Sequence, residues 1–99
     1  MAKDSLGVYV LFRFSKKTGE IDTTMTAMGK ALMKMWALNN TTKTKQTLIF
    51  ERESGKCVFA CSGTDSFPQI AEESKLLNCE EYGISLADLQ EITDDRFDK

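Results

Sequence analysis

The segment "ERESGKCVFAC", residues 51–61, sets two thiols, Cys57 and Cys61, four positions apart. Neighbouring cysteines can hold a metal, form a redox couple or present a nucleophile, and each use sets a distance. A disulfide needs Cα atoms within about 7 Å, and zinc ligands converge on one ion at about 2.3 Å. Val58 and Phe59 favour a strand, in which residues four apart share a face but lie roughly 13 Å apart along the chain. The spacing is not C-x-x-C, and Cys79 is the one further thiol. The cysteines therefore read as small buried hydrophobes, and no metal or other cofactor is expected.

The chain contains no histidine. That removes the usual general base, the Ser-His and Cys-His nucleophile pairs and the commonest metal ligand. The carboxylate pairs Glu72–Glu73, Glu80–Glu81 and Asp94–Asp95 are sequence neighbours, which point in different directions on a helix. They read as a solvated acidic face. "CSGTDS", residues 61–66, precedes an expected helix and superficially suits a phosphate, because helix N-termini present free N–H groups. It lacks both glycine spacings of the phosphate-binding loops, and Asp65 would repel an anion. No catalytic residues are assigned, and the chain reads as a non-enzyme.

The elements that position these residues follow from periodicity. "LGVYVLFRF", residues 6–14, alternates Leu6, Val8, Val10, Phe12 and Phe14 on one face with Tyr9, Leu11 and Arg13 on the other. That pattern makes a strand with apolar residues on both sides. "SKKTGEID" is a polar connection turning at Gly19, either a loop or a short hairpin. Met25, Met28, Leu32, Met35 and Trp36 then recur at helical spacing. They predict a helix over residues 23–38, capped by Asp22 or Thr23 and stopped at Asn39–Asn40. Gly29 inside such a helix costs about 1 kcal/mol against Ala and suggests close packing there.

"TLIFER" and "KCVFAC" flank "SG". A two-residue turn at Ser54–Gly55 would pair Phe50 with Phe59 and Leu48 with Cys61. Ser66 and Gln69 form a capping box for a helix reaching about Leu77, and Ser85 opens a last helix with Leu86, Leu89 and Ile92 inward. The expected fold is α+β, a small three-stranded, mostly antiparallel sheet with packed helices in the order β-α-β-β-α-α. Residues 1–99 form one domain, with a frayed tail from about residue 94.

Apolar residues make up 41% of the chain, and the longest apolar runs, "VYVLF" and "CVFAC", fall far short of a membrane span, which needs about 20 residues. "MAKDSLG" has no apolar signal region, and three cysteines fit a reducing compartment, so a soluble cytoplasmic protein is expected. The net charge of −2 hides an asymmetry, with eight basic and three acidic side chains in residues 1–46 and five basic and twelve acidic in residues 47–99.

Two binding readings follow. Met25, Met28, Met33, Met35 and Trp36 surround the expected helix too broadly for one buried stripe, with Met33 away from the Met28–Leu32–Met35 line. Adaptable methionines and a tryptophan anchor suit a protein interface. This predicts a protein-interaction module, an adaptor or an inhibitor, in the manner of small acidic accessory proteins of mobile elements. A sheet edge or the Met-rich helix would also allow a homodimer. The alternative is nucleic-acid binding by Arg13, Lys16, Lys17, Lys43 and Lys45, with Tyr9 or Phe12 stacking on bases. A sequence pI near 5.1 weighs against it.

Overall fold

The computed structural model of the chain describes residues 7–92. The tail from about 94 and Leu6, at the expected start of the first strand, lie outside the described residues. The fold is α+β. Its strands are β1 (Tyr9–Ser15), β2 (Ile21–Ala27), β3 (Lys45–Glu51), β4 (Cys57–Ser62) and the two-residue β5 (Gln69–Ile70). Helix α1 (Lys30–Asn40) joins β2 to β3. Two 3-10 turns, Glu73–Lys75 and Cys79–Tyr82, and the short helix α2 (Leu86–Glu91) follow β5. The strands form one antiparallel sheet in the order β2-β1-β3-β4-β5.

This sheet replaces the expected three-stranded one, and both extra strands come from segments read as helix. Residues 21–27, "IDTTMTA", follow Met25 and Met28 in a helical rhythm but carry Ile21 and three threonines. β-Branched side chains lose rotamer freedom in a helix and suit a pleated surface. Gly19, at φ 76°, turns the chain back, and β2 pairs with β1 from Tyr9–Ala27 to Arg13–Thr23. Asp22 is the extra residue of a bulge there, since Phe14 pairs with Ile21. It caps no helix. The helix begins seven residues later than expected, with Gly29 as an N-cap in open space. Its end at Asn40 is as the sequence predicts.

The expected helix from Ser66 to Leu77 is instead β5 and a 3-10 turn. Thr64, rather than Ser66, organises that loop, its hydroxyl donating to the Phe67 carbonyl and accepting from the Ser66 N–H. The last helix forms where expected, with the Ser85 hydroxyl accepting from the Asp88 N–H.

The β3–β4 hairpin also departs from expectation. Residues 52–55 make a four-residue loop closed by the Glu51 N–H on the Lys56 carbonyl. A bulge at Val58 then pairs Phe50 with Cys57 but Ile49 with Phe59 and Thr47 with Cys61. Gly55 holds φ 79°, and a Cβ there would stand 2.8 Å from Cys79 Sγ. That combination favours glycine.

The bulge decides the core. One face of the sheet buries Val10, Phe12, Leu48, Phe50, Cys57 and Ala60 beneath Leu76, Tyr82, Ile84 and Leu89. The other buries Leu11, Ile49, Phe59 and Cys61 beneath Met33 and Ala37 of α1. Both β1 and β3 are thus covered on two sides, and the molecule has three layers. At the far end of the sheet, Gly63 lies so close to the Thr42 carbonyl that a Cβ would fall 1.6 Å from its oxygen. No helix among the described residues is long and apolar enough to cross a membrane.

Candidate interaction surface

Helix α1 has one face fixed by the sheet. Met33, 3% exposed, and Ala37 point into the core, and Trp36 is half-buried beside them. Lys34 Nζ stands 5.6 Å from the Phe59 ring of β4, and the Arg13 guanidinium of β1 stands 5.3 Å from the Trp36 ring. The helix flanks are thereby assigned, Lys34 toward β4 and Trp36 toward β1 and β2. At 100° per residue, Leu32 lies about 40° from Trp36 and about 160° from Lys34. Leu32 therefore projects outward on the β2 side of the helix.

Leu32 is 75% exposed, Met28 62% and Met35 59%. Leu32 and Met35, three apart, share the solvent side of α1, and exposed Met28 lies in the bend just before its N-cap. The sequence sets Met33 apart from the Met28–Leu32–Met35 line but offers Met33, Met28 and Met35 together as interface, and the structure divides them: Met33 is core and the line is surface. The expected interface residues are thus divided. Met28 and Met35 stand outside, Met33 lies inside, and Trp36 is half-buried. Met25 belongs to β2 and is half-buried against the α1-side core. Leu32, not among the interface residues offered from the sequence, is the most exposed of the three. The signal for it was the late helix start: once Gly29 is the cap, Met33 and Ala37, four apart, define the buried stripe.

The five basic candidates are mostly engaged within the fold. Asp22 at the β2 bulge receives Arg13 Nε at 2.9 Å and Lys45 Nζ on its other oxygen. Those two hydrogen bonds hold the Asp22 carboxyl well below the usual carboxylate range. Arg13 also donates from Nη1 to the Asn40 carbonyl, at 2.9 Å, closing the end of α1. Lys16 Nζ donates to the Gly63 carbonyl at 2.7 Å. Lys43 forms an exposed ion pair with Asp65 at 3.1 Å, and Lys17 is exposed. Phe12, offered as a stacking residue, is buried edge-on against Phe50, because the C-terminal segment covers that face. Tyr9 is half-buried on the α1 side.

The sheet separates two of the three thiols, while Cys79 shares the core cluster of Cys57. Cys57 and Cys61 lie in opposite core clusters, because the Val58 bulge interrupts the alternation that would have set them on one face. Burial pushes all three thiols up. Cys61 Sγ is 3.5 Å from Thr41 Oγ1, which shares a buried 2.6 Å hydrogen bond with Thr47 Oγ1. That small polar network sits at the C-terminal end of α1. A cleft of about 370 Å³ opens on the opposite face between Phe14, Ile21, Tyr82 and Ile84. The Tyr82 phenol is the one titratable group on its lining, and burial pushes it up.

No protein family, no curated protein and no solved structure matches this chain.

Proposed function

We propose that this chain is a non-catalytic protein-interaction module that engages a protein partner through the outward side of α1. One observation carries the reading: Leu32 and Met35 stand 75% and 59% exposed on the sole helix of the described residues longer than two turns, and Met28, just before its N-cap, stands 62% exposed. Holding three large apolar side chains in water is unfavourable, and a partner that covers them recovers roughly 25 cal/mol for each Å² removed from water. Methionine on that side favours a partner surface of adaptable shape. An adaptor or an inhibitor fits this geometry, as does self-association. Three unbridged cysteines favour a reducing, cytoplasmic setting.

Nucleic-acid binding draws less support, because four of its five candidate cations already have acceptors within the fold. The test compares wild-type and Leu32→Glu baits in native-host lysate, with and without nuclease. A partner held by wild type after nuclease and lost from Leu32→Glu supports the reading. Capture that Leu32→Glu leaves intact, or that nuclease abolishes, contradicts it.

A further inference from the structure

Among the described residues, β2 forms one edge of the sheet, and it lacks the devices that usually keep an edge from pairing. Thr23–Ala27 contains no proline, lysine or glycine and keeps unbroken register with β1. Its bulge is confined to Asp22, beside the turn, and that carboxylate is already neutralised by Arg13 and Lys45. α1 packs chiefly on β1, β3 and β4, so it does not roof the edge. The opposite edge, β5, has two residues only.

Charges at the two ends of β2 specify what such an edge would accept. Exposed Glu20 precedes the strand, and exposed Lys30 follows it. We propose that β2 pairs antiparallel with β2 of a second copy of this chain, forming a two-fold dimer with one continuous sheet. Centred on Thr24, the pairing sets that residue against Thr24 of the partner subunit and Thr23 against Met25 of the partner subunit. Each Glu20 then comes beside Met28 of the partner subunit, within reach of Lys30 of the partner subunit. A parallel arrangement would instead oppose Glu20 to its own copy and Lys30 to its own copy. The match is self-complementary, with a single threonine pair, favourable across strands, at its centre.

The two α1 helices lie on the same face of the joined sheet. With strands spaced by about 4.8 Å and each helix centred over β3, they stand roughly 24 Å apart and do not touch. The Met28–Leu32–Met35 row stays open for another partner. The inference rests on the protein-interaction reading but uses a separate surface, so either can fail alone. A contact limited to one paired strand and its flanks is small, which predicts micromolar dissociation.

The test is sedimentation equilibrium of the full chain from about 1 µM to about 500 µM, a range that brackets such a dissociation constant. Wild type should pass from monomer to dimer. Thr24→Lys, which sets two like charges together at the two-fold axis, should stay monomeric with an unchanged circular dichroism spectrum. Glu20→Lys should raise the dissociation constant about tenfold, and Glu20→Lys with Lys30→Glu should restore it. Leu32→Glu should leave it unchanged. A monomer throughout, a dimer indifferent to Thr24→Lys, a dimer lost in Leu32→Glu, or no rescue by the charge exchange would overturn the proposal. If Thr24→Lys does not fold, the charge exchange decides alone, because neither of its positions lies within β2.

Discussion

Arg13 Nε donates a 2.9 Å hydrogen bond to Asp22 Oδ1 across the β1–β2 pair, at the bulge of β2. The same guanidinium donates to the Asn40 carbonyl and covers Trp36. One side chain thus ties the first hairpin to the end of α1, and it does so through a carboxylate that must be ionised. Asp22 has an ordinary carboxyl value near 3.8 in the unfolded chain and a lower one in the fold. A depressed folded value means that the unfolded chain binds the proton more tightly. The contribution is therefore complete above about pH 4 and is lost as pH falls through the folded value. Urea denaturation should show Asp22→Asn less stable than wild type at neutral pH, with the gap narrowing steadily below about pH 4. A gap independent of pH would mean that the charge is not what holds the bulge.

Met33 and Leu32 are adjacent in sequence and opposite in consequence. Met33→Ala removes a buried side chain from the α1-side core and should cost about 2–5 kcal/mol. Leu32→Glu changes an exposed one and should stay within about 0.5 kcal/mol of wild type. Equilibrium urea curves with matched slopes would measure both. Equal losses at the two positions would contradict the assigned orientation of α1.

Gly63 and Gly29 make a second contrasting pair. A Cβ at Gly63 would overlap the Thr42 carbonyl oxygen, so Gly63→Ala should cost at least about 3 kcal/mol or prevent folding. Gly29 has extended backbone, open space around it and no side-chain cap, and the first turn of α1 has no acidic residue. Gly29→Asp supplies both a cap and a favourable charge at the helix N-terminus, and should raise stability by about 0.5–1 kcal/mol. Thermal melts of the two variants check both expectations.

Cys57, Cys61 and Cys79 are buried, and burial disfavours their thiolates. A thiol reagent at neutral pH should label the native protein slowly and label all of its cysteines once urea unfolds it. Rapid labelling of one thiol in the native state would show that its cover opens.

The strand of residues 9–15 and the last helix were legible because strict alternation and a serine cap each state one answer locally. The end of α1 at Asn40 was legible for the same reason. Residues 21–27 were not, since Met25 and Met28 fall into a helical rhythm with Leu32 and Met35, and that rhythm conceals the threonines between them. Only pairing with β1 decides such a segment, and pairing is a tertiary event. The Val58 bulge was equally hidden, beside a loop whose Gly55 packs against Cys79 of a distant segment. Misplacing those two features left Met33 undivided from Met28 and Met35 and set Cys57 and Cys61 on one face. The candidate surface was therefore found by its composition, with Met28 and Met35 named, while Leu32 and the inward place of Met33 needed the fold.

The central claim is that the Leu32 side of α1 meets a protein. A photo-crosslinking residue at position 32, compared with the same residue at exposed Ala87 on the other face, tests it in the native host. The account predicts a discrete, nuclease-resistant protein adduct at position 32 and none at position 87. No adduct at 32, or the same adducts at both positions, would contradict it.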